Sequence, residues 1–168
     1  MPEGPPWYQL IEGELVVSPS PSWHHQRISH SLVTLIDAYL AQKPIGELAY
    51  APMDVYLSDR DVAQPDLLFI SNARRHLIAA DGVHGAPDLI IEILSPSTAR
   101  LDAIRKRRIY ASAGVDELWL VDPAEKCVQR WRLRENPSEA IEIIDENGIL
   151  TSSNLPGLEI SVATVFRR

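Results

Sequence analysis

Cysteine occurs once, at Cys127, in a chain of 168 residues. That excludes an intrachain disulfide framework and any zinc site built from several thiolates. A bound metal would have to be held by oxygen or imidazole. No run approaches the roughly 18 uninterrupted apolar residues of a membrane span. The start, Met-Pro-Glu-Gly-Pro-Pro, has neither the basic region nor the apolar core of a secretory signal. The expectation is a cytoplasmic protein with no membrane partner. Glycine-rich phosphate loops of the P-loop and dinucleotide types are also missing, which leaves nucleotide cofactors without support. Basic residues are in the minority, 16 Lys+Arg against 23 Asp+Glu for a net charge of −7. Duplex binding draws its nonspecific affinity from many cation–phosphate contacts, so this balance argues mildly against nucleic acid.

At 45% apolar and 23% charged residues, the composition is that of an ordinary globular protein. The length suits one domain over residues 1–168. The basic charge is concentrated: Arg100 to Arg108, RLDAIRKRR, holds five basic residues and one acid.

Tyr8–Ile11 and Glu14–Val17 flank a Glu12-Gly13 pair and predict a short hairpin, stopped by the SPSPS stretch at 18–22. From His24 to Leu40 the apolar residues Ile28, Leu32, Leu35, Ile36 and Tyr39 recur at helical spacing, with Ser22 available as a cap. Two extended runs follow, Glu47–Leu57 and Val62–Ile70, and then Asn72–Gly85 without a clear period. Leu89–Leu94, LIIEIL, is too short for a helix and rich in β-branched residues, hence a buried strand. Ser95-Pro96-Ser97 breaks it and caps a helix from about Thr98 to Ala113, closed by Gly114. Leu118–Val121 and Cys127–Leu133 are strands about an Asp122-Pro123 turn. Asn147-Gly148, between Ile141–Ile144 and Ile149–Thr151, is the strongest hairpin signal in the chain. The order predicts an α/β (α+β) fold, one mixed central sheet flanked by helices with additional hairpins.

Glu92 stands in the middle of LIIEIL, apolar on both faces. An unpaired carboxylate there would cost several kcal/mol or more, so it must be protonated, paired or bound to a cation. Pairing with an arginine, or a strand with one wetter face, would satisfy it without any chemistry. Asp66, opening the strand Asp-Leu-Leu-Phe-Ile, reads by itself as a strand-entry aspartate. Two acids on neighbouring strands would form the kind of site in which one or two carboxylates hold Mg²⁺. On the second helix Asp102, Lys106 and Tyr110 are spaced four apart and lie near one face. Arg105-Lys106-Arg107-Arg108 spans about 300° at 100° per residue, so the four cannot all reach the same solvent side. An Asp102–Lys106 surface pair is the bland alternative. His25 falls on the face of Ile28, Leu32 and Ile36, either as a core histidine or as a metal or supporting group. Arg130, Arg132 and Arg134 share one strand face, usually a solvated one and occasionally a phosphate-tracking edge.

PDLLFI (65–70), APDLIIEILSPST (86–98), the spaced Asp102, Lys106 and Tyr110, AGVDELWLVDP (113–123) and LPGLEI (155–160) together resemble the Uma2 family, also called DUF820, grouped with bacterial restriction endonucleases. The resemblance runs from the Tyr8 hairpin to Phe166 in the same order. The family looks like a branch of the PD-(D/E)XK nuclease superfamily, whose fold is a mixed sheet flanked by helices. Asp66 then matches the aspartate of the PD half-motif and Glu92 the acid of the second half. The pattern would place a lysine two residues after Glu92, where this chain has Leu94; the resemblance implies that Lys106 takes that role.

What this implies is metal-assisted hydrolysis of a DNA phosphodiester. Asp66, Glu92 and the backbone carbonyl of Ile93 would hold Mg²⁺ or Mn²⁺, Lys106 would act on the attacking water or the transition state, and Asp102, Tyr110 and His25 would support them. Arg105, Arg107 and Arg108 would meet the nucleic acid. A duplex cutter needs two active sites, hence an expected homodimer. The alternative from another class is a nuclease-fold accessory module that binds or dimerises without cleaving. A two-carboxylate glycosidase would leave Lys106 and the basic helix without a place.

Overall fold

The computed structural model describes residues 7–18, 20–95 and 99–167. The expected hairpin is present: β1 (Trp7–Ile11) and β2 (Glu14–Ser18) pair antiparallel with Ile11 opposite Glu14. Glu12 and Gly13 both take positive φ, 55° and 82°. This two-residue connection matches the right-handed twist of the strands it joins. Helix α1 runs Trp23–Gln42, two residues longer at its C-terminal end than the periodicity predicts, with Ser22 Oγ accepting from the His25 amide.

The run at 47–57 resolves into β3 (Gly46–Tyr50) and β4 (Val55–Ser58), with a cis Ala51-Pro52 bond between them. The run at 62–70 resolves into β5 (Asp61–Ala63) and β6 (Leu67–Ser71), separated at Pro65, which has no N–H to give to a ladder. The segment without a period forms a 3-10 helix at Asn72–Leu77 and a small hairpin of β7 (Ile78–Ala79) and β8 (Gly82–His84). Then come β9 (Leu89–Ile93), α2 (Ala99–Ala113), β10 (Glu117–Asp122), β11 (Cys127–Arg132), β12 (Glu142–Ile144), β13 (Ile149–Leu150), β14 (Ile160–Ser161) and α3 (Val162–Val165). The capping segment expected at 95–98 lies outside the described residues except for Ser95. At the other end of α2, Gly114 sits at φ 90°, with its amide on Ala111 and the Val115 amide on Tyr110, the bond pair of a Schellman stop.

The central sheet has strand order β12-β11-β10-β9-β6-β3. β9 and β10 are parallel and joined through α2; the other neighbours are antiparallel, which makes the sheet mixed, as expected. α1 covers one face, its Ile28, Leu32 and Ile36 packing with Leu89, Ile91 and Trp119. On the opposite face lie Ile109 and Tyr110 of α2, together with a second six-stranded sheet of order β2-β1-β5-β4-β8-β7. All five residues of β9 are buried because both of its faces are covered.

Two expectations fail. Asn147-Gly148 does not join a hairpin: β12 pairs with β11, and β13 pairs with β14. Asp145 supplies the reason, since its carbonyl accepts from the Gly148 amide and its side chain from the Asn147 amide. That Asx-type turn closes locally without returning the strand beside itself. The shared face of Arg130, Arg132 and Arg134 is also not uniformly solvated. Arg130 is buried, donating to Glu117, Glu142 and Thr151.

Candidate active site

β9 and β6 run antiparallel with Leu67 opposite Ile91, so the residue entering β6, Asp66, lies beside the end of β9 that carries Glu92 and Ile93. The Ile93 amide donates to Asp66 Oδ2 at 2.7 Å and ties the two strand ends together. Strand alternation turns Glu92 to the face of Ile90, toward α2. There Lys106 Nζ reaches both Glu92 oxygens at 3.1 Å, and the Tyr110 hydroxyl donates to Oε1. Asp102, one helical turn before Lys106, is 4.0 Å from the ammonium. From the other side of the sheet α1 delivers His25, whose Nε2 is 3.2 Å from Asp66 Oδ1. Its Nδ1 is buried without a partner.

The structure thus brings Asp66, Glu92, Lys106, Tyr110 and His25 into one continuous set, with Asp102 at its margin. Leu94 is apolar and half-buried; the cation against Glu92 comes from α2. Arg105, Arg107 and Arg108 point away from this cluster. Arg105 pairs with Glu12 and Glu14 of the β1–β2 hairpin, Arg108 with Glu12, and Arg107 lies over the Trp131 ring.

Burial dominates the electrostatics. It raises the Glu92 pKa to about 7, with Asp66 adding to the rise while Lys106 and Tyr110 oppose it. Burial also raises the Tyr110 hydroxyl well above its usual value, and the Glu92 charge pushes it the same way. For Lys106, burial works against the ammonium, but the charges of Glu92, Asp102 and Asp66 outweigh it and the pKa ends above 10.5. His25 follows the same logic: burial lowers it, Asp66 and Glu92 raise it more, and it ends above 6.5.

The raised Glu92 pKa is also a stability statement. The folded state binds the Glu92 proton more tightly than the unfolded chain, whose value is 4.5. The stabilisation that this proton supplies is complete below pH 4.5 and disappears as pH rises through about 7. Glu92→Gln, which cannot titrate, should therefore gain stability relative to wild type as pH rises from about 5 to about 8, by a few kcal/mol at the upper end. Urea unfolding of both proteins across that range, without divalent metal, reads it; a difference that stays flat would show that Glu92 titrates normally.

Among the described residues no three His, Cys, Asp or Glu side chains converge into a ready metal cage. The donor chemistry nevertheless suits a hard cation, because two carboxylates and the adjacent Ile93 carbonyl offer only oxygen. Glu92 Oε1 already accepts from both Lys106 and Tyr110, whereas Glu92 Oε2 and the two Asp66 oxygens each face a single protein nitrogen and keep a second lone pair free.

The sequence reading missed two features. One is the amide of Ile93, which orients Asp66. The other is a second buried acid, Glu117, 0% exposed, which accepts from Trp119 Nε1, Arg130, Ser152 and Asn154. Its signal was available: Glu117 opens ELWLV as Glu92 sits in LIIEIL, a charge in an apolar strand. It lies on the α1 face, at the end of β10 beside Leu89, away from Glu92.

No curated protein matches the chain. Among solved structures, a "putative nuclease belonging to DUF820" from Anabaena variabilis superposes with a TM-score of 0.81 at 23% identity, over 99% of this chain and 93% of that one, which shows a shared fold. The profile of the Uma2 family, described as "Putative restriction endonuclease", matches residues 1–163, nearly the whole chain. The chain belongs to the Uma2 family.

Proposed function

We propose that the protein is a divalent-metal-dependent endonuclease that hydrolyses DNA phosphodiester bonds at the Asp66–Glu92–Lys106 cluster. The observation that carries this reading is the convergence of two carboxylates, brought together by the pairing of β6 with β9, with a buried ammonium from α2. A buried acid–base pair is a costly way to hold a helix to a sheet, since apolar residues do that as well or better. Asp66, Glu92 and the Ile93 carbonyl would hold Mg²⁺ or Mn²⁺. Such an ion supplies Lewis-acid polarisation of the phosphoryl oxygen and a more acidic water.

Lys106 keeps its proton at neutral pH, because its pKa is raised. That favours a role in donating hydrogen bonds and neutralising charge building on the phosphoryl group. Tyr110 holds Glu92 in place, and the Ile93 amide holds Asp66. His25, charged through its contact with Asp66 when it protonates, orients that carboxylate from the α1 side.

One observation favours a second reading, that of a binding module that does not cleave. Every oxygen of Asp66 and Glu92 already accepts from a protein donor or faces His25, so the cluster is electrically complete by itself. Calorimetric titration of the full chain with Mn²⁺ separates the two. Saturable binding that disappears in Glu92→Ala, with cleavage of plasmid DNA lost in Asp66→Ala and Glu92→Ala, is the expected result. Cleavage undiminished in Glu92→Ala would sink the nuclease reading, and no binding at millimolar metal in the presence of DNA would favour the module.

A further inference from the structure

β2 is the outer edge of the second sheet, and nothing among the described residues pairs with its free side. In a two-residue hairpin the closing pair, Ile11 and Glu14, exchanges both backbone hydrogen bonds. Alternation then directs the N–H and C=O groups of Leu15 and Val17 outward. Natural edges are blunted by lysine, proline, bulges or short length. β2 has no lysine or proline within its five residues, Glu-Leu-Val-Val-Ser, its one charge, Glu14, is held by Arg105, and it pairs with β1 without a register shift. The face of the hairpin that points away from α2 is apolar as well: Leu15 is 68% exposed, Val17 54% and Tyr8, opposite Val17, 51%. The opposite face carries the buried Gln9 and Ile11.

We propose that β2 pairs antiparallel with β2 of a second copy about a two-fold axis at Val16, joining the two small sheets into one. The strand is complementary to itself in this register. Leu15 lies beside Val17 of the second copy and exchanges both outward hydrogen bonds with it. Glu14 lies beside Ser18, so no like charges face each other, and the apolar surfaces of Tyr8, Leu15 and Val17 become continuous across the axis. Val16 meets its own counterpart in a non-hydrogen-bonded pair, where Cα atoms approach to about 4.5 Å. Of the remaining edges of the two six-stranded sheets, β7 offers two residues, β12 offers three with Glu142 committed to Arg130, and β3 exposes one large apolar residue, Tyr50.

Antiparallel pairing keeps the faces of the joined sheet distinct, so both α2 helices lie on the same side of it. Two Asp66–Glu92–Lys106 clusters would then serve one side of the dimer. The interface itself rests on the edge strand and stands whether or not the clusters cleave DNA.

Sedimentation velocity on the full chain, with circular dichroism to confirm folding, tests it. The expected wild-type mass is twice 18.8 kDa. Leu15→Lys with Val17→Lys, both surface changes, should return the mass to that of one chain with the fold intact. Val16→Cys should form a disulfide-linked dimer under mild oxidation while wild type, whose single Cys127 is buried, does not. A monomeric wild type across the micromolar range, a dimer that survives both lysines, or Val16→Cys failing to cross-link would overturn the proposal.

Discussion

Lys106→Met is expected to lower metal-dependent cleavage of DNA by about two to three orders of magnitude, the usual cost of removing one preorganised donor from a transition state. The ammonium is buried against Glu92 at 3.1 Å and stays charged at neutral pH. Methionine keeps most of the side-chain volume and removes only the charge and its hydrogen bonds. The folding cost should stay modest for a specific reason. Glu92 already has a pKa of about 7 and can take a proton once its partner is gone. Loss of the partner pushes that value up further, since Lys106 is the largest influence holding it down. Mn²⁺ binding should therefore persist in Lys106→Met but require a more alkaline buffer than wild type does. Calorimetry at two pH values together with single-turnover cleavage checks both parts. Unchanged cleavage would remove Lys106 from the chemistry.

Arg130→Met should destabilise the protein by about 3–5 kcal/mol, the range for removing one partner of a buried ion pair. Arg130 is the cation that reaches Glu117 among the described residues, and Glu117 is wholly inaccessible to water. The network extends from Arg130 to Glu142 and Thr151, and from Glu117 to Ser152 and Asn154. It binds the strands β10, β11 and β12 to the segment that follows β13. The effect should appear in the urea midpoint with Mn²⁺ affinity unaltered, because the network is centred at the end of β10 opposite Leu89. A loss below about 1 kcal/mol would mean that the remaining donors satisfy Glu117 unaided.

The parts of the fold legible in the sequence are those governed by local rules. The helix spacing of Ile28, Leu32 and Ile36, the β-branched run around Glu92, the Glu12-Gly13 turn and the stop at Gly114 each state their structure within a few residues. The failures come from nonlocal partners. Asn147-Gly148 carries a hairpin signature, but a neighbouring aspartate captured the turn. Arg130 reads as solvent-facing until β10 places Glu117 beside it. The cluster itself was legible because a carboxylate in an apolar strand demands a partner, and helical arithmetic showed that one of four consecutive cations must face inward. The spacing of Asp102, Lys106 and Tyr110, together with the resemblance, singles out Lys106, whereas the Ile93 amide as the anchor of Asp66 depends on the pairing of β6 with β9, which no local pattern encodes.

The hairpin's grip on α2 alters what the basic run can do. Glu12 and Glu14 already hold Arg105 and Arg108, so those guanidiniums carry little condensed anion of their own. A polyanion docking on this helix would have to trade carboxylates for phosphates, an exchange of partners that releases few small ions and gains little entropy from them. Attraction at this surface would therefore depend less on ionic strength than a count of its arginines suggests, and the hairpin acts as a built-in competitor for whatever approaches the helix.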